Sequence, residues 1–333
     1  MGVYIIAEAG VNHNGSLGLA LKLCKEAKNI GADAVKFQTW KTDALIIESV
    51  EMAEYQKCNL EVENISQYNM LKELELSYHD FRTIKTYCDE IGIHFLSTPD
   101  EEESLDFLIS LGVDIIKVGS AEVTNLPYLK KIGATHKRII LSTGMSTLGD
   151  IERALGILKQ GGTEDISLLH CTTNYPCPMD EVNLNVLTTL RQAFQCPVGY
   201  SDHTSGVEVS VAAVALGATI IEKHFTLDCK MKGPDHIASL DPENFKHMVH
   251  SIRNIEKALG NGIKVINESE RKISQAVLKK IVAKSPISKG EVLSEKNMTV
   301  KRAVGGLSAI YWNLLLGTTV HKDYNTDDLI SLK

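Results

Sequence analysis

Apolar and polar positions follow one recurring pattern along the chain. A helical spacing ends in Ile or Leu, then Gly, then a short apolar run. The junctions are Ile30-Gly31, Ile91-Gly92, Leu111-Gly112, Ile132-Gly133 and Leu216-Gly217. Gly just past a helix end accepts the left-handed conformation that closes the last turn, so each junction predicts a helix stop. The runs that follow predict strands at Ala34–Phe37, Ile93–Leu96, Asp114–Lys117, Arg138–Leu141 and Thr219–Glu222. Three more strands fit at Tyr4–Ala7, Ile166–Leu169 and Pro197–Tyr200. Strands that are apolar on both faces and alternate with helices belong to a buried parallel sheet. Eight of them before about residue 225 predict a closed (β/α)8 barrel, an α/β fold. An open doubly wound sheet is the rival, but no G-x-G-x-x-G turn follows the first strand.

Two segments break the rhythm. Residues 39–76 form a connection far longer than the usual two to six residues, which predicts a lid or binding loop. Within it, Gln67-Tyr68-Asn69-Met70-Leu71 has the pattern of a short helix. After a last barrel helix at Pro242–Leu259 the chain runs through the polar, glycine-marked stretch Gly260–Ser269. The remainder has short β-branched runs and turn signals such as Ser288-Lys289-Gly290. The expected organisation is a barrel domain over 1–265, a linker over 266–277 and a small β domain over 278–333.

Composition narrows the function classes. The 333 residues are 44% hydrophobic and 23% charged, as in a soluble globular protein. A barrel takes roughly 250 residues, so the surplus is the lid and the small domain. The net charge of −7, from 35 Lys+Arg against 42 Asp+Glu, argues against a nucleic-acid binder, which needs a concentrated basic face. It leaves room for a small anion held by a few local cations. No apolar stretch nears the roughly 20 residues that span a bilayer, and the N-terminal run has no leader or myristoylation pattern. Seven scattered cysteines without C-x-x-C or zinc spacing predict reduced thiols and a cytoplasmic enzyme.

Polar residues at the C-terminal ends of barrel strands face the active site. Here the strands end in Glu8, in Lys36 and Gln38, in Ser97-Thr98, in Lys117 with Ser120 and Glu122, and in Ser142-Thr143. The last three run into Thr172-Thr173-Asn174-Tyr175, Ser201-Asp202-His203 and Glu222-Lys223-His224. Alternation puts Lys36 with Gln38, Ser201 with His203, and Glu222 with His224 on common faces. A lysine inside an apolar strand is costly unless paired, so structural ion pairs with Glu122 or Glu222 are the plain reading for either alone. Two inward lysines among Thr98, Ser120, Ser142 and Ser201 suit an anion with many oxygens, a phosphate or carboxylate. A Schiff-base lysine is the other functional reading. His203 and His224 end adjacent strands, next to Glu8 across the barrel closure, which suits a divalent metal. His13 follows the first strand on the active face, His94 is expected in the core, and His247 and His250 on a solvated helical face.

These residues sit in runs with a family character. Ala7-Glu8-Ala9-Gly10-Val11-Asn12-His13-Asn14-Gly15, Val35-Lys36-Phe37-Gln38-Thr39, Phe95-Leu96-Ser97-Thr98-Pro99, Ser142-Thr143-Gly144-Met145, Gly199-Tyr200-Ser201-Asp202-His203-Thr204, Ile221-Glu222-Lys223-His224-Phe225-Thr226 and Gly233-Pro234-Asp235-His236 together resemble the sialic acid synthase family. The resemblance runs in order along essentially the whole chain. It implies a small antifreeze-like (SAF) domain over 278–333. It also implies condensation of phosphoenolpyruvate with an N-acetylmannosamine-type sugar, giving phosphate and a nine-carbon 2-keto sugar acid.

Carried over by position, the resemblance makes His203 and His224 ligands of a divalent ion, manganese first, with magnesium or cobalt as alternatives. Glu8 and Glu122 become the candidate proton carriers. Lys36, Thr98, Lys117, Ser120, Ser142, Thr173 and Ser201 become phosphoenolpyruvate contacts, with Asn174 the alternative to Thr173. Tyr175, Asp235 and Arg302 become sugar contacts. Arg302 implies a homodimer whose small domain reaches over the partner barrel. Ala303 stands where the family has Pro, which loosens that loop. The implied activity is that of an N-acetylneuraminate synthase. The alternatives are an N,N'-diacetyllegionaminate synthase acting on 2,4-diacetamido-2,4,6-trideoxymannose and, more distantly, a Schiff-base barrel aldolase. The lid runs Glu54-Tyr55-Gln56-Lys57 and Ser66-Gln67-Tyr68 look like those of neuraminate and legionaminate synthases.

Overall fold

A computed structural model describes residues 2–60 and 66–331. Eight parallel strands alternate with helices: β1 Tyr4–Gly10, β2 Ala34–Thr39, β3 His94–Pro99, β4 Ile115–Val118, β5 Arg138–Ser142, β6 Ile166–His170, β7 Val198–Asp202 and β8 Ile220–His224. Their hydrogen-bonded order is β3-β2-β1-β8-β7-β6-β5-β4, and β3 lies beside β4, so the sheet closes on itself. All eight predicted strands are present, most extended by one or two residues at the C-terminal end. The extension is where polar side chains enter, and a run of apolar letters stops there.

The helix stops follow the predicted chemistry at four junctions, with positive φ at Gly31, Gly92, Gly112 and Gly217. Gly133 differs: it is the last residue of the helix Leu126–Gly133 and has no positive φ. A Cβ there would lie 2.7 Å from the Leu158 carbonyl oxygen, and one at Gly161 would lie 2.7 Å from Gly133 itself. The two glycines let neighbouring helices touch backbone to backbone.

One large core lies between the strands and the outer helices, around Phe37, Phe81, Phe95, Tyr200 and Phe245. Inside the ring, Ile6, Ala34, Leu96, Ile115, Ile140, Leu169 and Ile220 form a separate apolar floor. The 39–76 connection carries three short helices, Thr42–Leu45, Glu54–Leu60 and Gln67–Leu74. Val11, Trp40, Met52, Met70 and Leu74 pack under it. Glu75 ties its base, accepting from Thr42 N at 2.9 Å, Thr42 Oγ1 at 2.8 Å and Lys41 Nζ at 3.0 Å. Positions 61–65, and the side chains of Glu54 and Tyr55, lie outside the described residues.

The chain divides into two compact units, one ending at Gly260 and one beginning at Asn261. The second has its own core of Ile281, Ile287, Leu293, Met298, Leu315, Val320, Tyr324 and Ile330. It pairs β9 Lys279–Ala283 antiparallel with β10 Met298–Arg302. The stretch 266–277, expected as a linker, is instead largely the helix Glu268–Val277. An Asn267–Glu270 capping box starts that helix, and none of its residues is buried. Ile273, Ala276 and Val277 share one exposed face, but the run Glu268-Ser269-Glu270-Arg271-Lys272 before them is wholly polar and reads as linker. Among the described residues, no helix is long and apolar enough to cross a membrane.

Candidate active site

Two residues beyond the apolar floor, every strand changes character. Ile6, Ala34, Ile115, Ile140 and Ile220 give way to Glu8, Lys36, Lys117, Ser142 and Glu222, each buried. Thr98, Cys171 and Ser201 complete that ring on β3, after β6 and on β7. Two residues further come Gln38, Asp100, Thr173, His203 and His224. The period of two in a strand therefore stacks an apolar, a charged and a polar layer along one axis.

The charged layer is tightly paired. Lys36 Nζ lies 2.9 Å from Glu8 Oε2 and 3.8 Å from Glu222 Oε2, and donates to Thr98 Oγ1 at 3.1 Å. Lys117 Nζ lies 3.5 Å from Glu222 Oε1 and donates to Ser142 Oγ at 2.7 Å. Ser201 Oγ donates to Glu222 Oε1 at 3.1 Å. Burial pushes Glu8 up to about 7, only partly offset by Lys36. Burial acts on Glu222 too, but Lys117 and Lys36 outweigh it and hold that carboxyl near 2. Lys117 is pulled down by burial, whereas for Lys36 the carboxylates of Glu222 and Glu8 outweigh it and raise the ammonium. Asp100, at the mouth, is raised to about 7 by burial. The plain reading of Glu222 as ion-pair partner therefore applies to both lysines at once, and the site is closer to charge balance than two free lysines.

A cavity of about 210 Å3 opens on this layer, lined by Lys36, Lys117, Ser120, Ser142, Thr173 and Ser201 among others. Thr173 Oγ1 is buried without a protein partner. Gly144 leaves the space for it, since a Cβ there would lie 2.2 Å from that hydroxyl oxygen. Asn174 does not line the cavity.

The histidines converge above. The His203 and His224 rings lie 5.6 Å apart between centroids, and Tyr175 packs on His203 at 4.2 Å. His203 Nδ1 pairs with the Thr172 carbonyl oxygen at 2.7 Å, which makes it the protonated nitrogen and leaves Nε2 a lone pair. His224 Nδ1 is buried without a hydrogen bond, 3.9 Å from Asp235 Oδ2. Burial lowers both imidazoles, His203 to about 4, so both are neutral at pH 7. Two neutral rings suit a divalent ion, with Ser201 Oγ 3.4 Å from His203 Nε2. Among the described residues, no group of three or more His, Cys, Asp or Glu is arranged for a metal. The protein thus offers two ligands and would leave the other positions to water or substrate oxygens.

A second cavity of about 210 Å3 joins the first through Gln38, Tyr175 and His224, which line both. Its polar side adds Asp235, raised to about 6 by burial. The far side is Val11, Met70, Leu71, Leu74 and Pro234, with Gln56 the additional polar group.

Of the expected site residues, Glu8, Lys36, Thr98, Lys117, Ser120, Ser142, Thr173, Tyr175, Ser201, His203, His224 and Asp235 come together in these two cavities. Glu122 lines neither; it accepts from Asn125 Nδ2 at 2.7 Å on the turn after β4. Arg302 belongs to the small unit, exposed on β10, with no ion pair among the described residues. His13 is buried against Phe37 and lines neither cavity, and His94 is half-buried with a bond to the Tyr4 hydroxyl. Sequence reasoning missed Asp100, which the same period of two beyond Thr98 would have found. It also missed the lid group Gln56, Met70, Leu71 and Leu74, for which no local signal exists.

Fold and site define the class: a (β/α)8-barrel synthase whose strand ends build one two-part cavity. The NeuB family profile matches residues 23–264, and the SAF domain profile matches residues 280–333. The chain is 50% identical over 328 residues to the N,N'-diacetyllegionaminic acid synthase of Campylobacter jejuni, covering 98% of each. It is 35% identical over 299 residues to the human N-acetylneuraminate-9-phosphate synthase, covering 90% of this chain and 82% of the human one. A crystal structure of N-acetylneuraminic acid synthetase from Leptospira borgpetersenii, in complex with citrate, superposes with a TM-score of 0.72. It has 33% identity and covers 82% of this chain and 90% of that one. The chain belongs to the NeuB family, the sialic acid synthases, and is an enzyme that makes a sialic-type acid.

Proposed function

We propose that the enzyme condenses phosphoenolpyruvate with 2,4-diacetamido-2,4,6-trideoxymannose, giving N,N'-diacetyllegionaminic acid and inorganic phosphate. The observation that carries this reading is the joined cavity. One half is a lysine- and hydroxyl-lined anion site, and the other, past two neutral histidines, suits an amino sugar. The choice of sugar over N-acetylmannosamine is supported by the 50% identity to a synthase of that name.

In this reading Lys36 and Lys117 hold the phosphate and carboxylate, with hydroxyl donors from Thr98, Ser120, Ser142, Thr173 and Ser201. Glu222 is already shared between the lysines and keeps them at fixed positions before substrate arrives. His203 and His224 would hold a divalent ion, manganese first, with Asp235 beside them. When bound, such an ion supplies Lewis-acid polarisation of the sugar's aldehyde oxygen. C3 of phosphoenolpyruvate bonds to the aldehyde carbon, water adds at C2, and the C2–O bond then breaks with phosphate as the leaving group. Glu8 sits between Lys36 and Gln38, so it can give the new sugar hydroxyl its proton or take one from the water. Glu122 lies outside the cavities and is the weaker of the two candidates. Tyr175 orients the sugar, and the exposed Arg302 reaches it from a second copy of the chain in a homodimer.

The test is phosphate release from phosphoenolpyruvate with manganese and each candidate sugar, with the product weighed by mass spectrometry. Equal release after exhaustive chelation would remove the metal from this reading. Borohydride trapping of substrate on Lys36 or Lys117 would replace it with a Schiff-base aldolase.

A further inference from the structure

We propose that the lid end of the sugar cavity selects the substrate by its far half. Gln56 donates to the carbonyl of the C4 acetamido group, and Val11, Met70, Leu71 and Leu74 receive the C6 methyl of a deoxy sugar. This rests on the function proposed above and names the residues that set its sugar choice.

The cavity has two unlike ends. Gln38, Tyr175 and His224 line both halves, with Asp235 beside His224, so the aldehyde end of an open-chain sugar belongs there. At the other end Val11, Met70 and Leu74 belong to one apolar cluster, with Leu71 packed on it, and Met70 and Leu74 are buried. A hydroxyl placed against that wall loses its water partners and gains none, whereas a methyl is favoured there. A phosphate against that wall would be worse still, because this chain's own lining holds no lysine or arginine among the described residues, and Arg302 of the second copy is the one cation the proposed dimer adds. The residues at positions 61–65 of the same connection include neither lysine nor arginine. Lys232 lines a separate cavity of about 290 Å3, which shares Met70, Leu74 and Pro234 with the first. The apolar wall therefore separates the two cavities.

Gln56 supplies the polar half of the selection. It is 9% exposed, and its Oε1 accepts from Ala53 N at 3.0 Å and Gln67 Nε2 at 3.4 Å. The backbone donor fixes which end of the amide is oxygen. Its Nε2 donates to no protein group among the described residues while lining the cavity. An amide donor at the cavity surface beside an apolar wall matches an acetamido carbonyl beside a deoxy carbon. Sites that hydrogen-bond a substrate group discriminate strongly against an analogue lacking it, and apolar contacts add roughly 10- to 200-fold per methylene.

The experiment compares kcat/KM for 2,4-diacetamido-2,4,6-trideoxymannose, N-acetylmannosamine and N-acetylmannosamine 6-phosphate at saturating phosphoenolpyruvate and manganese. The wild type should rank them in that order. Gln56→Leu should lose about 100-fold on the diacetamido sugar and stay within about threefold on N-acetylmannosamine. The double variant Met70→Ala, Leu74→Ala opens the wall into the neighbouring cavity. It should cut the preference for the deoxy sugar by about tenfold or more and raise relative use of the 6-phosphate. Ratios between sugars on one preparation cancel any loss of folded enzyme. Turnover with unchanged ratios in both variants overturns this proposal alone, whereas a wild-type preference for either hexose overturns the proposed sugar as well. No phosphate release from any sugar overturns the proposed function and this proposal with it.

Discussion

The ion pairs of the barrel and those of the 39–76 connection use the same residue types in opposite surroundings. Lys223 and Asp202 pair at 3.0 Å with both side chains fully buried. Asp202 also accepts from Thr204 N, Thr204 Oγ1 and Ser210 Oγ at 2.6–2.9 Å. Lys36, Lys117, Glu8 and Glu222 are nearly as buried on the inner face of the same barrel. In the connection, Lys57–Glu51 and Lys72–Asp43 lie mostly in water, and Lys41–Glu75 is the best protected. Buried pairs lose heavily if one partner goes, while exposed ones contribute little. The barrel's charges thus set geometry, and the connection's charges merely tether a surface segment.

The largest effect is expected where burial is most complete. Lys223→Met leaves Asp202 buried without its counter-charge and should cost about 3–5 kcal/mol of stability by calorimetry. A loss below about 1 kcal/mol would erase the contrast, since that is the value of an exposed pair. Lys117→Met takes a charge from the cavity rather than from the packing. It should lower kcat/KM for phosphoenolpyruvate by roughly 100- to 1,000-fold. Its melting temperature should move much less than that of the Lys223 variant; equal losses would make Lys117 a structural residue.

The smallest effect concerns the connection's base. Burial would raise the Glu75 carboxyl, but hydrogen bonds from Thr42 and the Lys41 ammonium outweigh it and hold it below the ordinary carboxylate value. A group so depressed in the folded state contributes its stability fully above that ordinary value. The contribution fades as pH falls through the lowered one. Amide exchange in residues 42–45 should therefore quicken in acid before exchange in the barrel strands does, and Glu75→Gln should abolish that difference. Simultaneous loosening of both regions would show that the tether is not local.

Much of this architecture was legible in order. The eight strands were readable because strands buried on both faces are nearly all apolar, and the site because polar letters appear where each one ends. Gly133 was misleading because Ile132-Gly133 is spelled like Ile30-Gly31, while its cause is Gly161 on another helix. The helix Glu268–Val277 was missed because its wholly polar first turn and a half reads as linker and masks the short apolar stripe of Ile273, Ala276 and Val277. The weight carried by Glu222, shared between two lysines from β2 and β4, depends on strand tilt across the ring. The apolar wall of Met70, Leu71 and Leu74 was hidden for a similar reason. Its letters suit any short amphipathic helix, and the cavity they face is completed by Val11 and Pro234 from elsewhere.

The closure of the ring has a consequence for biosynthesis. β1 pairs with β8 in a register that sets Glu8 beside His224, while on its other edge Glu8 faces Lys36. The first strand made therefore waits for the last before the site exists at all. A ribosome that stalls anywhere before β8 releases a chain with lysines and carboxylates but no working constellation. Closing so distant a pair is also the slowest kind of contact to form. Catalytic activity in this molecule thus depends on synthesis reaching the last barrel strand, and is carried by the oldest and youngest strands of the barrel together.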